Sequence, residues 1–286
     1  MQRVGIDEAG YGPTLGPLAV VAAAASVEDT AAFAGELASL GVADSKQVHK
    51  SGDLGSLERV ALPAAMWLSG FQPDTADDLF ALLGESAADR ATVPWMAGAA
   101  ELRLPLAAHP LPTWNIRSAT ALGLHGRLLH PRHLNAARRQ GVNRAAAELD
   151  VVRTLISAAV PDPAAAAVIG CDRLGGRKRY GDLLERTWPG QAVDIVEETA
   201  PACRYRCATT SVAFLVGGES AEPLIAAASC IAKYARELHM HLLNQHWSSR
   251  FAWLKPTAGY PEDAKRWLHQ LGAGTTDAWS DELVRA

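Results

Sequence analysis

Aromatic side chains make up only 6% of this 286-residue chain, so its core has to be filled by small aliphatic groups, which abundant alanine and glycine supply. The four cysteines, Cys171, Cys203, Cys207 and Cys230, form no Cys-x-x-Cys pair. Cys203 and Cys207 lack the second pair that a structural zinc site needs, and nothing suggests a disulfide framework. A reducing, cytoplasmic setting is expected. The longest apolar run, near Leu18 to Val27, falls far short of a membrane span, and Asp7 and Glu8 interrupt any secretory leader. Positive charge is not in excess either. A formal net charge of −4 excludes a generally basic nucleic-acid binder. Any contact with phosphate must come from local patches, and the candidates are Arg177-Lys178-Arg179, Arg138-Arg139 with Arg144, and Arg204 with Arg206. No internal repeat stands out. Hydrophobic content of 49% and charged content of 20% are ordinary for a globular protein of one large domain, or of one domain with an appendage.

What is present begins with residues 5–18, GIDEAGYGPTLGPL. Val4-Gly5-Ile6 suits a buried strand. Asp7 and Glu8 follow, then a glycine-punctuated loop, then the apolar run Leu18 to Ala25, which together read as strand, tight loop, strand. Neighbouring strand residues point to opposite faces, so two adjacent acids need a break in the pleat to serve one site. The alternative is a solvated hairpin tip carrying two surface acids.

Further on, Phe33, Leu37 and Leu40 recur at helical spacing in residues 30–40, and Asp44 or Ser45 is a good helix cap. Ala64–Phe71 and Leu102–Ala108 read as strands broken up by prolines, and Trp67, Trp95 and Trp114 fit a core better than a stacking surface. Residues 131–160 read as one long helix. Ala164–Gly170 is a strand ending beside Asp172, a common place for chemistry in α/β sheets. Residues 192–198 and 204–215 read as strands, Gly217-Gly218-Glu219 as a turn, and residues 223–246 as a helix opened by Pro223. On that helix Ser229, Lys233 and Glu237 are four apart and share a face, which is equally the pattern of a plain Lys233–Glu237 surface ion pair.

Several of these segments resemble type 2 ribonucleases H, the RNase HII/HIII family. The carriers are DEAG-x-G-x-x-x-GPL at residues 7–18, Asp44-Ser45-Lys46, Asp172 at a strand end, IAAASCIAKYARE in the helix, and Gly259-Tyr260-Pro261. The resemblance spans residue 4 to about 268. It implies an RNase H-like α/β fold, a mixed sheet with helices on both faces, in one catalytic domain over residues 1–286. An inserted cap would lie near residues 75–125 and a helical part near 220–286. It implies a monomeric endonuclease that cuts the RNA strand of an RNA–DNA hybrid with Mg²⁺ or Mn²⁺, leaving 3′-hydroxyl and 5′-phosphate ends. Asp7, Glu8, Asp172 and Glu237 would be the metal-binding and catalytic acids. Gly10, Tyr11, Gly12, Ser45, Lys46, Asn143, Ser229, Lys233 and Tyr260 would touch nucleic acid. A glutamate as fourth acid leans toward type HIII, although the first motif begins at Val4 without that type's accessory N-terminal domain. Where type HII has Gly-Arg-Gly, this chain has Gly10-Tyr11-Gly12, which bears on incision at single ribonucleotides.

Four clustered carboxylates repel one another, and some take up protons unless a cation joins them. Mg²⁺ takes oxygen ligands and keeps several waters, so acids alone suffice for phosphodiester hydrolysis. A different nuclease on the same scaffold and a non-catalytic nucleic-acid binder are the competing readings.

Overall fold

The structure, a computed structural model, describes residues 1–49, 54–107 and 110–286. Seven strands form one mixed sheet: β1 (Gln2–Ala9), β2 (Leu18–Val27), β3 (Ala119–Leu129), β4 (Ala167–Asp172), β5 (Val193–Glu198), β6 (Ala202–Cys207) and β7 (Thr210–Leu215), in the order β3-β2-β1-β4-β7-β6-β5. The pairs β1–β4 and β4–β7 are parallel, and β1–β2, β2–β3, β7–β6 and β6–β5 are antiparallel.

β2 is apolar almost throughout because both its faces are covered. Ala19, Val21, Ala23 and Ala25 enter one core with the helices Leu54–Ser69 and Pro223–Ser248. Leu18, Val20, Ala22 and Ala24 enter a second core with the helices Arg144–Ala159 and Gly181–Thr187.

The helix Pro223–Ser248 lies directly on β1. A Cβ on Gly5 would come within 2.1 Å of the Leu224 carbonyl carbon and 2.2 Å of the Ile225 nitrogen, so only glycine fits there. Gly170 on β4 gives the same helix room, with Ile225 Cδ1 3.0 Å from where its Cβ would be. The start of this helix is thereby fixed against the carboxyl ends of the two central parallel strands.

Several expectations need correction. Ala64–Phe71 is not a strand: residues up to Ser69 belong to the helix Leu54–Ser69, which contains Pro63. An apolar run without clear period does not distinguish a buried helix from a buried strand. Leu102–Ala108 is no strand either, and Ala108 lies outside the described residues. There the Glu58 carboxylate accepts the backbone N–H groups of Leu106 and Ala107, at 2.6 and 2.9 Å, in place of a neighbouring strand. The long helix over 131–160 is two helices, Pro131–Arg139 and Arg144–Ala159. Gly141, at φ +79°, ends the first, and Asn143 caps the second by accepting from Ala146 N at 2.9 Å. Residues 204–215 form the hairpin β6–β7, turning at Ala208 with φ +51°. Within residues 75–125, Leu79, Phe80, Trp95 and Met96 are buried in the first core, and Ala119 onward is strand β3.

Candidate metal centre and nucleic-acid groove

Asp7 and Glu8 lie at the carboxyl end of β1. The ladder to β4 stops at the pair Ile6↔Cys171, and Asp7 and Asp172 are the next residue on each strand. Carboxylate oxygens of Asp7, Glu8 and Asp172 all fall within 4.8 Å of one another. No break in the pleat is required, because β1 stays paired with β2 through Ala9. Asp7 Oδ1 accepts the Glu8 N–H at 2.7 Å, and Asp172 Oδ1 accepts the Gly218 N–H at 2.8 Å.

Burial, then the neighbouring charges of Glu8, Asp172 and Glu219, push the Asp7 carboxyl well above its usual range. Burial and Asp172 raise Glu8 to about 7, and burial raises Asp172 as well. Glu8 Oε2 is buried and has no hydrogen-bond partner. Converging anionic oxygens, one of them unpartnered, are the surroundings a hard divalent cation fits.

Glu237 does not join this cluster. Its Oε1 accepts from Lys233 Nζ and from Arg236 Nη1, both at 2.8 Å. Burial works against its charge, but Lys233 and Arg236 overcome that and hold it below its usual range. The plain ion-pair reading of the four-residue spacing therefore describes the geometry. The further acid beside the cluster is Glu219, whose charge acts on Asp7, Glu8 and Asp172 alike. It sits in the short helix Gly218–Ala221 directly after β7. Its position was as readable as that of Asp172, an acid just past a parallel strand, but the glycines before it suggested only a turn.

Ser45 and Ser229 are buried, not open to phosphate, and both serve Glu219. Ser229 Oγ donates to Glu219 Oε1 and lies 2.9 Å from Ser45 Oγ, and Ser45 Oγ is 3.4 Å from the same carboxylate oxygen. Lys46 stays in the open, with its Nζ 3.8 Å from Glu219 Oε2 and its side chain 83% exposed. Lys46, Lys233, Glu237 and Tyr260 line one groove of about 560 Å³.

The loop after Glu8 is shaped from below. Gly10 has φ +94°, and a Cβ there would meet Arg236 Cδ and the Pro17 carbonyl at 2.7 Å. Gly12 faces open space. Buried Arg285 donates to the carbonyls of Gly10 and Gly16. Tyr11 is 38% exposed. Asn143, as helix cap, spends its side-chain oxygen on Ala146 N and lies near Tyr11 at the rim of a second cavity.

The fold, a mixed sheet with helices on both faces, is like that of solved type 2 ribonucleases H. The ribonuclease H2 from Pyrococcus horikoshii OT3 superposes with a TM-score of 0.53 at 17% identity, over 100% of this chain and 92% of that one. A mutant protein of Bst-RNase HIII superposes with a TM-score of 0.50 at 20% identity, over 100% of this chain and 66% of that one. Bst-RNase HIII in complex with Mn²⁺ gives 0.50 at 17% identity, with the same coverage. Residues 4–53 match the family model Ribonuclease HII. No curated protein sequence matches. The chain is thus similar to type 2 ribonucleases H in fold along its whole length, and in sequence over its first motif. Among the described residues no helix is long and apolar enough to cross a membrane.

Proposed function

We propose that this protein is a metal-dependent endonuclease that hydrolyses the RNA strand of RNA–DNA hybrids. The observation that carries the reading is the convergence of Asp7, Glu8 and Asp172 at the ends of β1 and β4. These three, with Glu219 in the place first given to Glu237, are the residues that would hold Mg²⁺ or Mn²⁺. When bound, such ions activate water and stabilise the leaving oxygen of a phosphodiester.

The rest belongs to the chain. Gly218 N–H orients Asp172, and Ser45 and Ser229 orient Glu219. The positive φ of Gly10 lets loop backbone come close to a sugar, where the 2′-hydroxyl distinguishes RNA from DNA. Lys46 presents its ammonium group to the groove beside the acids, where backbone phosphates would run, and Lys233, paired with Glu237, lines the same groove. A non-catalytic binder gains nothing from repelling acids aimed at phosphate.

The test is an Asp7→Asn variant on a labelled hybrid with Mg²⁺. The expected loss is about 100-fold or more, the scale of removing one charge-stabilising group. Undiminished cleavage removes the assignment. Comparing a full hybrid, DNA with one embedded ribonucleotide, and plain DNA reads the specificity of the Gly10-Tyr11-Gly12 loop.

A further inference from the structure

At Tyr11, in the loop that follows Glu8, opens a cavity of about 500 Å³ that the reaction above does not use. Tyr11, Arg138, Asn143, Arg144, Arg285 and the terminal residue Ala286 line it, and no aspartate or glutamate side chain is among its lining residues. Arg144 opens the helix Arg144–Ala159. Its Nη1 donates to the Tyr11 carbonyl at 2.7 Å, and its guanidinium carbon lies 5.7 Å from the centre of the Tyr11 ring. The guanidinium is therefore held in place by one backbone acceptor and one aromatic face. It makes no ion pair among the described residues. Glu148, one turn along the helix, is buried beneath it. Arg138 is exposed and makes neither a side-chain hydrogen bond nor an ion pair among the described residues.

We infer that this cavity binds a backbone phosphate of the nucleic acid, next to the nucleotides over the acids, and that Arg144 stacked on Tyr11 is its positioning residue. One guanidinium bond is spent on the loop, which fixes the plane, and the remaining donors are free for a phosphate oxygen. A stacked guanidinium loses less freedom on binding than a mobile lysine. Tyr11 is three residues from Glu8, so the contact lies close along the chain to the acids and adds to the binding of substrate there.

The inference takes its ligand from the proposed function, and its test separates the two. Binding of an RNA–DNA hybrid is measured in EDTA across a salt series, and cleavage is measured with Mg²⁺. For Arg144→Ala the expected result is about tenfold weaker binding and a salt slope lower by about one counterion. KM should rise in step while kcat stays within about twofold of the parent. Arg144→Lys should fall between, since it keeps the charge and loses the plane, and Tyr11→Ala should follow Arg144→Ala. Thermal unfolding of each variant separates a lost contact from a lost fold. Parent-like affinity and slope in folded Arg144→Ala overturn the inference even if the parent cleaves hybrids. An Arg144-dependent slope in a parent that cleaves nothing keeps the inference and removes the nuclease reading.

Discussion

At the scale of single residues, the two glutamates on either side of Lys233 invite separate roles. Glu219 acts electrostatically on all three clustered acids and is held by two buried serines, whereas Glu237 is neutralised by Lys233 and Arg236. Glu219→Gln should lower kcat on a hybrid by about 100-fold. Glu237→Gln should change it by less than about tenfold and act mainly through KM, since that residue lines the groove. Steady-state kinetics on the two variants decides the point, and the reverse order would return Glu237 to the metal centre. That the spacing pointed to Glu237 while the geometry pairs it with Lys233 and Arg236 has a physical cause. Ser229 and Glu237 do share a helix face, but eight residues separate them, about 12 Å along the axis at the usual rise. A shared face gives direction and not depth. Asp7 and Asp172 stand out in the sequence because each follows an apolar run long enough to be a buried strand, and Glu8 is the neighbour of Asp7.

At the scale of elements, the contact between β1 and the helix Pro223–Ser248 makes the sharpest demand on the sequence. Gly5→Ala puts a methyl 2.1 Å from helix backbone, which no side-chain rotation relieves. It should cost about 3 kcal/mol, at the upper end of ordinary overpacking. Gly12→Ala, with nothing within 4 Å and no positive φ, should stay within about 0.5 kcal/mol of the parent. Urea midpoints of the two variants provide the comparison. The strands β1, β2 and β4 were legible because continuous apolar runs fix central strands. The stretch 54–107 was not. Its helices are short or interrupted by proline, and part of its backbone is satisfied by the side chain of Glu58, a partner that no local pattern reveals.

At the scale of the whole molecule, acids held above their ordinary range tie stability to pH. Burial and Glu8 raise Glu148 to about 8, and burial with Asp172 raises Glu8 to about 7, against unfolded values of 4.5. A raised carboxyl favours the folded chain most when protonated, so its contribution is lost as pH rises through the folded value. In EDTA the protein should therefore become more stable as pH falls from about 8 to about 6.5. Below that, burial keeps His133 and His246 down near 4 while the unfolded chain protonates them at 6.5, which opposes further gain. Urea midpoints at pH 8 and pH 6.5 read the effect, and Glu148→Gln should flatten it. A loss of stability from pH 8 to pH 6.5 would show that these acids are not held above their ordinary range in the folded chain.

The absence of a side chain at Gly5 reaches further than packing. Because helix backbone rests on strand backbone with no soft atoms between them, Asp7, Asp172 and Ser229 ride on one stiff anvil. Any adjustment to what enters the site must then fall to the rim: the 10–16 loop, the stretch after Asp172 and the segment around Lys46. Changes that retune what the site accepts belong at that rim, and the anvil beneath can stay as it is.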